Sequence, residues 1–378
     1  VPLLMYLIKN AEVYAPERLG KQDILVISGR IVQVARDIDV RLEGLEVVDA
    51  AGRIAVPGFL DPHVHLIGGG GEGGFHTRTP EFQITDAIRG GVTTLVGVLG
   101  TDGFTKTVES LLAKTKEINT LGLTAYCLTG SYHCPSPTVT GDVAKDIVCI
   151  QEIIGCKLAI SDHRASFPTD EELRRLASDI RMAALVSGKP GVLHIHVGAL
   201  PTAIEPIFRL VEDSHIPVKH FRPTHMGRHR EAAVRFTKLG GYADITAKPG
   251  GFGFFPELVR QADSRYLTIS SDGNGSMPRW NADRSAITGI TMGRVTSLNE
   301  VMRELVCGGA MTLEAFLPFV TRNTAESLDL FPRKGAIAPG ADADLLLLDQ
   351  SLHVASTMAR GRWMLREGEM RFEPVYQD

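Results

Sequence analysis

Phe59-Leu60-Asp61-Pro62-His63-Val64-His65 is a largely apolar run that ends in two histidines, two positions apart. Read as a β-strand, it sends both imidazoles to one face, because side chains alternate across a strand. Asp61 shares that face. Four further stretches close short apolar or β-branched runs in the same manner. They are Cys156-Lys157, His194-Ile195-His196, Pro223-Thr224-His225 and Ser270-Ser271-Asp272-Gly273. His65, Lys157, His196, His225 and Asp272 are separated by 92, 39, 29 and 47 residues. At about 30 residues per β/α unit of a (β/α)8 barrel, they fall at the C-terminal ends of strands 1, 4, 5, 6 and 8. Those ends converge on the face where barrel enzymes keep their active sites.

The flanking pattern predicts an α/β protein with a (β/α)8 TIM barrel. Strand candidates are Phe59–His65, Thr93–Leu99, Thr124–Thr129, Lys157–Asp162, Val192–Val197, Lys219–His225, Tyr242–Thr246 and Leu267–Asp272. Helix candidates between or after them include Pro80–Arg89, Asp170–Leu185, Glu231–Leu239 and Leu298–Cys307. The second opens on Thr169-Asp170-Glu171-Glu172, and acidic residues favour a first helical turn. Both chain ends read as β. Asp23–Ile27 and Arg30–Val34 flank a Ser28-Gly29 turn, and Asp344–Leu348, His353–Thr357 and Arg362–Leu365 lie between glycines. The expected organisation is a small β-sandwich-like domain from residues 1–55 and 331–378, with the barrel over 56–330.

A chain of 378 residues with 44% hydrophobic and 22% charged residues can bury a large core, as an ordinary globular enzyme does. A net charge of −4 without a basic run argues against a nucleic-acid partner held by phosphate contacts. The apolar start Val1–Ile8 is too short to span a bilayer and lacks a basic leader, so it reads as a strand and no membrane partner is expected. Five cysteines, none in a Cys-x-x-Cys pair, fit reduced thiols and a cytoplasmic setting.

Four histidines and a carboxylate at converging strand ends point to a metal centre, since neutral imidazole is the commonest metal ligand. Lys157 fits only if it is not an ammonium, because a cation beside two dications is repelled by several kcal/mol at an effective dielectric near 20. Carboxylation by carbon dioxide would turn it into a bridging anion; the alternative is a lysine turned outwards or paired with Asp162. Two dications acidify a water and polarise a carbonyl, which suits hydrolysis of an amide. Asp272 is placed to carry the proton to the leaving nitrogen. The metal identity stays open between zinc, cobalt, manganese and nickel.

At this constellation the chain resembles the amidohydrolase superfamily with a binuclear metal centre. The resemblance covers nearly its whole length. Five stretches look like the isoaspartyl (β-aspartyl) dipeptidase family: 66–72 (LIGGGGE), 100–102 (GTD), 129–133 (TGSYH), 160–164 (ISDHR) and 270–276 (SSDGNGS). The resemblance implies that His63 and His65 bind one Zn2+, and His196 and His225 the other. Carboxylated Lys157 and a hydroxide bridge them; the hydroxide attacks the side-chain amide carbonyl. Asp272 ligates the first metal and shuttles the proton. Gly70, Gly71, Glu72, Thr101, Tyr132, Arg164, Arg228 and Ser276 are implied to bind substrate, with Tyr132 polarising the scissile carbonyl. A homo-oligomer is also implied. His194 departs from the pattern and is expected to be a core histidine with a hydrogen-bond partner.

The charges agree independently. A β-linked aspartyl dipeptide carries one ammonium and two carboxylates. Glu72 in a glycine-rich loop can hold the former, and Arg164 and Arg228 the latter by two-point contacts. The plainer alternatives are a solvated Glu72, an Arg164 paired with Asp162 or another acid, and an Arg228 that caps the next helix region or faces solvent. Other activities compatible with the same metal site are cyclic-amide hydrolysis, of the dihydroorotase or hydantoinase type, and deacetylation. A non-catalytic barrel scaffold is a more distant reading.

Overall fold

The computed structural model describes residues 4–283 and 285–372, so positions 1–3 of the expected first strand and 373–378 of the C-terminal segment lie outside it. The N-terminal strands are β1 (Met5–Tyr14), β2 (Arg18–Ile27), β3 (Arg30–Ala35), β4 (Leu45–Asp49) and β5 (Ile54–Pro57). The hairpin expected around Ser28-Gly29 is there, as β2 and β3 pair antiparallel.

Eight strands then alternate with helices. They are β6 (Phe59–Val64), β7 (Val92–Gly97), β8 (Thr124–Gly130), β9 (Ile153–Ile160), β10 (Val192–Val197), β11 (Phe221–Thr224), β12 (Ala243–Thr246) and β13 (Leu267–Ser270). The expected barrel strands are therefore all present. β6 to β11 form one parallel sheet in sequence order, and β12 pairs with β13. The ring closes where Val64 bridges Gly273 and the His65 N–H donates to the Gly273 carbonyl at 2.8 Å. Beneath that seam the Ser271 backbone N–H donates to Asp61 Oδ1 at 3.1 Å, and the Ser271 hydroxyl donates to Oδ2. Side chains tie β11 to β12, with the Thr224 hydroxyl donating to Asp244 Oδ2 at 2.6 Å. Asp244 also accepts from Thr268 and Ser270. This saturated carboxylate pulls three strands together, and a buried carboxylate is tolerable only with such partners.

The helix Asp170–Ser187 shows why the barrel coat forms where the sequence placed it. Thr169 and Glu172 make a reciprocal cap at its start. Leu173, Leu176, Ala177, Ile180 and Ala184 recur at helical spacing on its buried face. The helix expected over Pro80–Arg89 begins only at Ile84. Before it, the Phe82 N–H bonds to the Leu66 carbonyl and the Pro80 carbonyl accepts from Asn274, which holds the chain extended.

After the barrel strands come a hairpin, β14 (Ser276–Trp280) and β15 (Ile287–Met292), and the C-terminal strands β16 (Leu345–Leu348), β17 (Val354–Ala359), β18 (Arg362–Arg366) and β19 (Glu369–Met370). The two chain ends build one nine-stranded sheet, ordered β19-β18-β17-β16-β5-β1-β2-β3 with β4 on β1. β5 meets β16 antiparallel, from Ile54 opposite Leu348 to Pro57 opposite Leu345. Ile8, Val13, Ile24, Leu345, Leu347 and Met358 fill its core. Among the described residues no helix is long and apolar enough to cross a membrane. The five cysteines are free.

Candidate metal centre and active site

Three strand ends that carry candidate residues turn sharply. β9 stops at Ile160 and Ser161 takes φ 54°, β11 stops before His225 at φ 65°, and β13 stops before Asp272 at φ 52°. The strands expected to run through Asp162, His225 and Asp272 therefore end one or two residues early. Non-glycine residues pay about 1–3 kcal/mol for sparsely populated backbone, a cost concentrated at functional sites. Here the turn swings each side chain from the strand line into the mouth.

His63, His225 and Asp272 bring candidate ligand atoms within 4.8 Å of one another. His63 Nε2 lies 3.3 Å and His65 Nε2 3.2 Å from Asp272 Oδ1. Lys157 is fully buried, with Nζ 3.4 Å from His63 Nε2. It does not point outwards. On the other side the His196 and His225 rings stand 4.6 Å apart. His225 Nδ1 is held by Thr246 Oγ1 at 2.6 Å. The His65 ring sits where side chains on Gly100 or Gly275 would collide with it, since a Cβ on either would come 2.9 Å from a ring carbon. His194, one layer deeper on β10, is buried with Nε2 3.2 Å from His63 Nδ1.

Burial, and then the Lys157 charge, hold His63 well below the ordinary histidine pKa. His225 is lowered by burial and by His196. His196 is pushed down to about 4 by burial, against the opposing pull of Asp162. At neutral pH these rings are uncharged and offer lone pairs. Burial also pushes Lys157 down to about 7, opposed by Asp272 and Asp244. Neutral imidazoles, one carboxylate and an amine near neutrality fit a divalent transition-metal centre. His63, His65, Asp272 and Lys157 would hold one ion, and His196, His225 and Lys157 the other.

His196 Nε2 lies 2.8 Å from Asp162 Oδ2, so the carboxylate accepts its N–H and leaves Nδ1 as the free lone pair. The Tyr132 hydroxyl donates to that lone pair at 2.7 Å and would have to release it for Nδ1 to hold a metal. Burial pushes the Tyr132 phenol well above its ordinary pKa, so it stays a donor.

Arg164 takes the Asp162 carboxylate through Nε at 2.9 Å and Nη2 at 2.8 Å. The pairing weighed in the sequence is thus present. Burial alone would raise the Asp162 pKa, but Arg164 and His196 hold it well down. Arg164 also donates from Nη1 to Glu72 Oε1 at 3.0 Å and lies over the Tyr132 ring. Glu72 Oε1 further accepts from Thr101 at 3.0 Å and Ser276 at 2.8 Å. The side chain of Glu72 is 2% exposed, and its Oε2 is buried without a hydrogen-bond partner. Glu72 is not a solvated loop residue.

Several of these groups line one cavity of about 560 Å³. Gly70, Thr101, Tyr132, Arg164, Arg228, Asp272 and Ser276 line it, with His65, His196 and His225 at its floor. Gly71 adjoins Gly70 in the loop, and both take positive φ, 98° and 81°. Arg228 is exposed and has no ion-pair partner among the described residues. Asp162 and Thr246, neither of them a candidate from the sequence, orient the His196 and His225 rings. A carboxylate just past a ligand-bearing strand was the available signal for the first; nothing marked Thr246.

Two amidohydrolase family models match the chain, over residues 46–105 and 255–364. The structure of a β-aspartyl dipeptidase from Fervidobacterium islandicum AW-1, in complex with β-Asp-Leu, is 40% identical and superposes with a TM-score of 0.92. The match covers 98% of this chain and 100% of that one. An L-hydantoinase from Paenarthrobacter aurescens is 22% identical over 450 residues, 97% of this chain and 96% of the relative. A D-hydantoinase structure at 18% identity and a TM-score of 0.73 shares the fold. The chain belongs to the amidohydrolase family and, within it, to the β-aspartyl dipeptidases.

Proposed function

We propose that this protein hydrolyses β-aspartyl dipeptides, cutting the amide between the aspartyl side-chain carbonyl and the next residue. The observation that carries the reading is Glu72 Oε2, a buried carboxylate oxygen without a partner, on a side chain whose Oε1 accepts from Thr101, Arg164 and Ser276, all three of which line the cavity. Leaving such an atom unpaired costs about 1–3 kcal/mol, more for a charged group, and an ammonium removes that cost. Arg164 spends three of its five N–H groups on Asp162 and Glu72, so two remain for a carboxylate. The α-ammonium and α-carboxylate of a β-aspartyl unit are a matched pair of charges for this site. Arg228 is the group for the C-terminal carboxylate.

Bound divalent ions, zinc in our reading, would acidify a water and polarise the scissile carbonyl. Asp272 takes a proton from the attacking water as the water oxygen bonds to the carbonyl carbon. It delivers the proton to the nitrogen as the carbon–nitrogen bond breaks, leaving aspartate and a free amino acid. Tyr132, already a donor at the cavity floor, supplies a hydrogen bond to the carbonyl oxygen as charge builds there. Lys157 acts as a carbamate. The same reading keeps the division into 1–55 with 331–378 and 56–330, a cytoplasmic setting and a homo-oligomer.

Assay of the zinc-supplemented protein should show aspartate and leucine released from β-Asp-Leu. The α-linked isomer, dihydroorotate and hydantoin should remain intact. Ring opening of either cyclic amide in preference to β-Asp-Leu cleavage would replace this reading with a cyclic-amide hydrolase. Arg228→Lys keeps the charge but loses the planar two-point contact. KM for β-Asp-Leu should rise about tenfold, the worth of one charged hydrogen bond, with kcat little changed. A kcat loss without a KM change would remove Arg228 from ground-state binding.

A further inference from the structure

His194 lies beneath the donor cluster, on β10 two residues before His196, and is almost completely buried. Its Nε2 is 3.2 Å from His63 Nδ1, and the two rings cross at 89° with centroids 4.8 Å apart. It does not face the cavity as a further ligand would. The opposite nitrogen of His63, Nε2, faces Lys157 Nζ at 3.4 Å and Asp272 Oδ1 at 3.3 Å. A neutral imidazole has one N–H and one lone pair. For Nε2 to offer its lone pair to a metal, Nδ1 must carry the proton and needs an acceptor. Thr224 Oγ1 is 3.4 Å from Nδ1, and its own hydroxyl proton goes to Asp244 at 2.6 Å, so it can only accept there. Thr224 Oγ1 is thus a fixed acceptor at His63 Nδ1, and His194 Nε2 stands nearer, able to accept there when its own ring carries the proton on Nδ1.

We propose that His194 is a positioning residue for the metal centre: its Nε2 accepts the His63 Nδ1–H, which fixes the tautomer and plane of that ring. Metal-ligating histidines commonly give the second ring N–H to a carboxylate, a carbonyl or water. In this chain a second histidine has that office. The inference rests on the metal-centre reading above. It adds a role for a residue that touches neither substrate nor metal.

The test measures zinc affinity by competition with a chromophoric chelator, on wild-type protein, His194→Phe and His194→Gln. Phenylalanine keeps the ring and removes the acceptor, whereas glutamine restores an acceptor oxygen. Loss of such a supporting contact costs about 10–100-fold in metal affinity. We expect that loss in His194→Phe and a substantial recovery in His194→Gln, with circular dichroism of the metal-free proteins unchanged. Equal zinc affinity in wild type and His194→Phe would overturn the role. Where His194→Phe fails to fold, long-range proton–nitrogen NMR of metal-free wild-type protein decides. A His63 ring protonated at Nδ1 supports the role, and one protonated at Nε2 overturns it. Wild-type protein that takes up no zinc overturns the metal-centre reading itself, and this proposal with it.

Discussion

Replacing Asp272 by asparagine is expected to lower kcat for β-Asp-Leu by at least about 10³-fold, within the range that a positioned proton-transfer group contributes. The backbone should accept the change. Asp272 stands at φ 52°, and asparagine enters that left-handed region more readily than most residues. An alanine there would add strain to the loss of the carboxylate and confuse the result. The amide side chain can keep a polar contact with the His63 and His65 rings, but it cannot take a proton from water and return it to an amine. KM should move far less than kcat, because in the proposed function Glu72, Arg164 and Arg228, not Asp272, would carry the substrate charges. Metal content measured with excess zinc separates lost proton transfer from lost ligation. A variant with stoichiometric metal and near wild-type kcat would remove Asp272 from the chemistry.

The parts of this fold legible in the sequence are those written in local patterns. Alternation in 59–65 and 192–197 placed His63, His65, His194 and His196 on inward faces, and the structure sets all four inside the barrel mouth or beneath it. The intervals between the ligand types implied eight units. What stayed hidden depends on partners far apart in the chain. The Asp61–Ser271 pair that closes the barrel spans 210 residues. The Asp244 hub binds three hydroxyls, one from β11 and two from β13. The hairpin of β14 and β15 was missed for a local reason. Pro278 lies in Ser276–Trp280, and proline weakens any strand reading. That hairpin supplies Ser276, Met277, Pro278 and Trp280 to the cavity wall. For Arg164 the sequence left open a substrate carboxylate or an ion pair with Asp162 or another acid. The structure gives it both Asp162 and Glu72, because its guanidinium has donors enough for each.

Lys157→Ala should yield protein that purifies without its full complement of metal and turns over β-Asp-Leu poorly. Short carboxylates such as acetate or propionate should partly restore both properties. Lys157 lies on β9 with no exposed surface, and its Nζ is 3.4 Å from His63 Nε2. As an ammonium it would repel any cation there; as a neutral amine it can attack carbon dioxide, give up an N–H proton to solvent and become a carbamate anion with two oxygens. Burial makes that possible by pushing its pKa down to about 7. Near pH 7 about half the amine is unprotonated, against about one part in a few thousand for an ordinary lysine. Protonation dominates below about 7, so carbon dioxide uptake and zinc loading of metal-free wild-type protein should fall as pH drops through 7 and level off above it. Loading that is independent of both pH and carbon dioxide would argue against the carbamate. So would a Lys157→Ala protein holding two metals per chain without added carboxylate. The rescue arm isolates the cause, because a small carboxylate would supply the oxygens of the proposed carbamate in the space left by the lysine without restoring the chain's own covalent link.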